Sequence, residues 1–146
     1  MASAKDFFSE AEQEAIVNAI RAAELHTSGE IRVHADNRCD GDAFKRAQIV
    51  FHSLQMERKP FKNSVLIYVA VKDKKFALIG DEAIHTKVGD SYWKNISQAM
   101  QSQFKEGNFT LGIIEAVQTI GQTLAKYFPD IDELDKNTLP DDISFE

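Results

Sequence analysis

Apolar positions recur along this chain with two different periods, and the alternation between them predicts its elements. Residues 9–25 carry Ala11, Ala15, Ala19 or Ile20, and Ala23 at helical spacing, and Ser9 with Glu12 has the form of a capping box. Ser28-Gly29 ends that helix. From Glu30 to Ala35 the period drops to two, with Ile31, Val33 and Ala35 set against Arg32 and His34, which predicts a strand with one face more buried than the other. A polar loop, Asp36 to Asp42, follows. Asp42 is placed to cap a second helix lined by Phe44, Ala47, Val50 or Phe51, and Leu54, with Arg58 and Lys59 at its negative end and Pro60 as its stop.

Asn63 to Val71 is a nearly unbroken apolar run rich in Val and Ile, the pattern of a strand covered on both faces. The polar Lys72 to Lys75 and a second apolar run, Phe76 to Ile79, predict an antiparallel hairpin closed by Gly80. Asp81 to Thr86 predicts a short helix. Asp90 then caps a longer one carrying Trp93, Ile96, Met100 and Phe104, which Gly107 closes. The last helix, from about Asn108 to Tyr127, bears Phe109, Ile113, Val117, Ile120, Leu124 and Phe128, and Pro129 terminates it.

A strand, a helix and a strand in succession imply a parallel pair with a right-handed crossover, so Glu30–Ala35 and Ser64–Val71 should run the same way with Phe76–Ile79 antiparallel beside them. The expected fold class is α/β, a small mixed sheet with helices on both faces. With 146 residues the chain suits one domain, over 1–128, followed by a tail at 129–146.

Charge sharpens that boundary. The tail holds seven acids and the single base Lys136, equal to the whole net charge of −6, while residues 1–128 balance 16 acids with 16 bases. Acidic tails are usually solvated, and a body without a basic surplus argues against a nucleic-acid partner. The single Cys39 excludes an internal disulfide and any zinc site built on two thiolates. The longest apolar run, Val65 to Val71, falls far short of the roughly 18 residues of a membrane span, and no secretory signal opens the chain. Cytoplasmic residence is the default expectation.

No phosphate-binding glycine loop, nucleophile elbow or paired-histidine metal helix is present. His26, His34, His52 and His85 are scattered over different elements, and Cys39 lies among acids that oppose its thiolate. Two acidic clusters remain. Asp36, Asp40 and Asp42 follow the first strand, where open α/β sheets tend to bind ligands, although Arg38 and Ala47 break an EF-hand pattern; the bland reading is a solvated loop with a helix cap. Asp81 and Glu82, with Asp90 a few residues on, stand at the turn after Gly80, where acids also suit a helix dipole with no ligand present. The functional expectation is that Asp81, Glu82 and Asp90 converge on one calcium or magnesium ion. The topology puts the two clusters at opposite ends of the sheet.

Several segments carry a family resemblance: Thr27-Ser28-Gly29-Glu30-Ile31-Arg32-Val33, the strand Asn63 to Ala70, the hairpin to Ala77-Leu78-Ile79-Gly80, and Phe104 to Ile113 with its Gly-Asn-Phe-x-x-Gly-Ile core. They resemble the TPM domain, the family of thylakoid-lumen phosphatase-like proteins and their bacterial relatives, over roughly residues 11–127. The resemblance implies a Rossmann-like α/β sandwich, divalent-cation binding as in some members, and acid phosphatase activity or photosystem repair for plant members. Many members have Gly-aromatic-Gly where this chain has Gly80-Asp81-Glu82, and many carry a signal peptide and a membrane-spanning glycine-rich tail. Two readings stay open: a metal-assisted phosphatase acting on a phosphomonoester, and a noncatalytic protein-interaction module whose metal orders a loop.

Overall fold

The computed structural model describes residues 4–130 and 143–145. Four strands, β1 (Glu30–Asp36), β2 (Ser64–Ala70), β3 (Lys75–Gly80) and β4 (Ser144–Phe145), form one sheet in the order β3-β2-β1-β4. β1 and β2 are parallel, pairing Glu30 with Ser64 and Asp36 with Ala70, and β3 returns antiparallel, pairing Lys75 with Ala70 and Gly80 with Val65. The expected mixed sheet is therefore present.

Helices α1 (Ala4–Phe7), α2 (Glu10–Glu24), α3 (Ala43–Ser53), α4 (Glu82–Lys105) and α5 (Phe109–Tyr127) complete the fold. The larger core cluster joins one sheet face (Ile31, Val33, Val65, Ile67) to residues of α2, α4 and α5, such as Ile16, Met100 and Val117. On the other face Leu66, Tyr68 and Ala77 pack with Ala47, Val50 and Phe51 of α3. The two clusters follow from the period-two strands, since β2 is buried along its whole length and must find apolar partners on both sides.

The capping box at the start of α2 is formed: Glu12 N donates to Ser9 Oγ at 3.0 Å and Ser9 N to Glu12 Oε1 at 2.9 Å. The buried stripe of α2 differs from the expected alanines. Ile16, Ile20 and Glu24 are buried while Ala11 is exposed, because turning the isoleucines inward removes more apolar surface from water. On α3, Ala47, Val50 and Phe51 face the core but Phe44 is 48% exposed, and the helix ends at Ser53 with a separate 3-10 turn at Met56–Arg58 before Pro60.

Two expected helices after β3 appear as one run interrupted at Gly89, whose φ of 75° and ψ of 177° are not helical. Such a backbone suits glycine, which has no Cβ to clash there. Most of the acidic tail, 131–142, lies outside the described residues. Its end does not stand away from the domain: Ile143 is buried, and Ser144 and Phe145 pair in parallel with His34 and Ala35.

Candidate functional site

Arg32 and His34, which alternate with the apolar set of β1, were expected to be the more exposed. Arg32 is half-buried, but His34 is only 1% exposed, and Glu30 and Asp36, which the strand also includes, are buried as well. Burying polar groups is tolerated only where hydrogen bonds replace water, and around Asp36 they do. Tyr68 Oη donates to Asp36 Oδ2 at 2.7 Å and Arg46 Nε donates to the same oxygen at 2.8 Å. His34 Nε2 lies 2.9 Å from Asp36 Oδ1, and His34 Nδ1 lies 2.9 Å from Ser144 Oγ. One carboxylate thus collects β1, β2 and α3, and the histidine beside it ties β4 to the group.

Burial by itself would raise the Asp36 pKa, but the hydrogen bonds from Arg46, Tyr68 and His34 outweigh it and hold the carboxyl below its ordinary range. Burial, and then the bond to Asp36, push the Tyr68 hydroxyl far up. A phenol so held is a poor nucleophile, and both nitrogens of His34 are already occupied inside the protein. Cys39 is buried, its thiol about 4.0 Å from the carbonyl oxygens of Asp40 and Gly41. The loop from Asp36 to Asp42 is held by protein groups: Cys39 N donates to Asp73 Oδ2 at 2.8 Å, and Lys75 Nζ donates to the Cys39 and Gly41 carbonyls at 3.0 and 2.8 Å. Asp42 caps α3 through a 3.3 Å bond from Phe44 N. Asp40 is exposed at the loop surface.

At the opposite end of the sheet Asp81 caps α4, its Oδ1 accepting Glu82 N at 2.7 Å. Its other oxygen, Oδ2, is buried and has no hydrogen-bond partner among the described residues. Asp81 N donates to Ser64 O at 2.9 Å, one position past the Val65–Gly80 pair, so Ser64 and Asp81 stand opposite one another at the end of the ladder. Ser64 is fully buried, and its Oγ likewise has no described partner. Register places Glu30 next to Ser64 on β1, so Glu30, Ser64 and Asp81 form a row across three strands.

The three acids expected at this turn are disposed differently. Glu82 is exposed on the first turn of α4. Asp90 has 96% of its side chain exposed and lies 3.5 Å from His85 Nε2, while His85 Nδ1 accepts Trp93 Nε1 at 3.0 Å. Among the described residues no group of three or more His, Cys, Asp or Glu side chains is close enough to hold a metal ion. At this turn two buried side-chain oxygens, Asp81 Oδ2 and Ser64 Oγ, are left without a described hydrogen-bond partner.

The sequence reading singled out Asp36 but missed His34, Tyr68, Arg46 and Ser144 as its companions. The only local signal was the period-two placing of Arg32, His34 and Asp36, which also describes an ordinary solvated strand face.

The sequence model of the TPM domain matches residues 2–123. The chain belongs to the TPM domain family. BA42 from the psychrophilic bacterium Bizionia argentinensis is 45% identical over 100% of both chains, with a TM-score of 0.88. The N-terminal domain of a P. gingivalis protein matches at 17% identity, covering 86% of this chain and 83% of its own, with a TM-score of 0.70. The N-terminal domain of cg2496 from Corynebacterium glutamicum matches at 14% identity over 80% and 74%, with a TM-score of 0.63. These last two share the fold. No curated protein matches the chain. This TPM domain has, among its described residues, no helix long and apolar enough to cross a membrane.

Proposed function

We propose that this TPM domain is a noncatalytic binding module in which a weakly held divalent cation, calcium or magnesium, steadies the turn between β3 and α4. The observation that carries this is a pair of buried oxygens without a described partner, Asp81 Oδ2 and Ser64 Oγ, on residues that the Asp81 N to Ser64 O bond holds side by side. A buried carboxylate oxygen without a donor is costly, and a hard cation satisfies it as water or an N–H would. Glu30 stands next in the row and Glu82 one residue beyond Asp81, so carboxylates flank the position. One inward carboxylate oxygen and a neutral hydroxyl make a site of low charge, which places affinity in the millimolar to submillimolar range, about 10⁻⁴ to 10⁻³ M.

The noncatalytic reading rests on the network at the other end. A phosphomonoesterase needs a nucleophile or activated water and groups free to stabilise the developing charge. Tyr68, His34 and the Nε of Arg46 are directed inward at Asp36.

A residue-by-residue amide titration with calcium and with magnesium tests the site. Shifts should centre on Ser64, Asp81 and Glu82 and disappear in Asp81→Asn. Shifts confined to residues 36–42, or none at saturating ion, would overturn it. A phosphomonoester assay from pH 4 to 8 with either ion should stay at background; turnover that Asp81→Asn removes would instead restore the phosphatase reading.

A further inference from the structure

Far from the Asp81 turn, where the β2–β3 hairpin meets the end of α4 and the start of α5, a cavity of about 550 Å³ opens between aromatic walls. Phe104 and Phe109 stack with centroids 4.1 Å apart and planes 11° from parallel. Phe76 stands edge-on to Phe104 at 5.2 Å, and Phe7 edge-on to Phe109 at 5.2 Å. Phe7 is 45% exposed, so this wall remains partly open to solvent.

The charged residues lining the cavity are Lys74 and Lys105; their chain neighbours Asp73 and Glu106 are not part of its wall. Both are exposed, and neither makes a hydrogen bond or ion pair with a described residue. Their neighbour Lys75 behaves differently, donating to the Cys39 and Gly41 carbonyls. The helix dipole accounts for Lys105 in the last turn of α4, but not for Lys74, which the hairpin turn holds at a φ of 54°. Two ammonium groups without a described partner thus line the same cavity as four phenylalanines.

We propose that this cavity binds a small aromatic carboxylate, its ring among Phe7, Phe76, Phe104 and Phe109 and its carboxylate at Lys74 and Lys105. The volume falls within the ~300–1,000 Å³ of small-molecule sites, and such sites combine apolar walls with a few convergent polar groups. Four phenylalanine rings in the wall suit an aromatic body better than an alkyl chain, because ring–ring contacts add to area burial. Charge-assisted hydrogen bonds from lysine select an anion over a neutral ring of the same size.

Amide spectra titrated with 2-naphthoate and, separately, with the neutral 2-naphthylmethanol test the assignment. Naphthoate should give saturable shifts at Lys74, Phe76, Phe104, Lys105 and Phe109, and bind more tightly than the alcohol. In the double variant Lys74→Gln, Lys105→Gln, whose exposed substitutions leave the core untouched, naphthoate should bind about two- to thirtyfold more weakly and the alcohol unchanged. Added salt should weaken naphthoate alone. Equal binding of acid and alcohol, an unaltered double variant, or shifts that fail to saturate at these residues would each overturn the proposal. So would a synthetic peptide of residues 130–146 shifting the same amides at lower concentration than naphthoate, because the occupant would then be an acidic segment.

Discussion

Tyr68 reaches Asp36 diagonally across the parallel β1–β2 pair: register sets Tyr68 beside His34, yet its hydroxyl donates to Asp36 Oδ2 at 2.7 Å, two residues further along β1. The His34 and Tyr68 rings lie 14° from parallel with centroids 6.0 Å apart, which aims both at the same carboxylate. Asp36 is thereby the junction of two strands and α3. It organises the fold at the carboxyl end of β1 and β2, the end of the sheet at which open α/β folds commonly bind ligands.

Removing the Tyr68 hydroxyl alone should be mild. In Tyr68→Phe, Asp36 keeps Arg46 and His34, and the loss should be about 1.5–3 kcal/mol, the range for one hydrogen bond to a charged group. Asp36→Ala leaves Tyr68, Arg46 and His34 without their shared acceptor and should cost about 3–5 kcal/mol. Urea midpoints of both variants and of their double mutant measure this; additive losses would show that the bond contributes nothing of its own.

Acid stability should depend on the same carboxylate. Its pKa is lowered on folding, so the unfolded chain, where Asp titrates near ~3.9, takes up a proton more readily than the folded one. The stabilisation is complete above that value and is lost as pH falls through the folded value. Between pH 5 and 3 the wild type should lose stability more steeply than Asp36→Asn, in which nothing titrates at this position. Urea unfolding at half-unit pH intervals reads the slopes, and matching slopes would remove Asp36 from the account.

Gly80 should resist even one methyl group. A Cβ there would stand 2.2 Å from the Trp93 ring, a distance that obliges the indole or the strand to move. Gly80→Ala should destabilise by about 1–3 kcal/mol and change the emission of Trp93, the chain's single tryptophan. Unchanged fluorescence with unchanged stability would mean that β3 and α4 are packed less closely here.

Ser9→Ala should cost about 1 kcal/mol, since it removes the acceptor for Glu12 N. Glu12→Ala should cost more than a cap alone, because Glu12 Oε2 also accepts Thr110 Oγ1 at 2.6 Å and so joins α2 to α5. Thermal unfolding of the two variants ranks them; an equal effect would confine Glu12 to its local role.

Local signals carried most of the architecture. The capping box at Ser9, the continuous apolar β2 and the stop at Pro129 are each readable because a few neighbouring residues satisfy or remove specific backbone groups. The α2 stripe was misplaced because alanine and isoleucine both count as apolar, and only packing decides which face removes more surface from water. The candidate site was half legible. Asp81 and Asp36 stand out as acids at strand ends, but their partners lie far along the chain: Ser64 across the ladder from one, Tyr68 and Arg46 beside the other.

Periodicity and turn chemistry, acting over a few residues, determined the elements, their order and the parallel sense of β1 and β2. Tertiary structure alone decided that Glu30, His34 and Asp36 of β1 are buried, that Ser144 and Phe145 join the sheet, and that Asp90 turns to His85 rather than to Asp81. The reason is one of range: a hydrogen-bond donor supplied from another element reverses the cost of burying a polar side chain, and a linear pattern of polar and apolar positions does not record which distant residue supplies it.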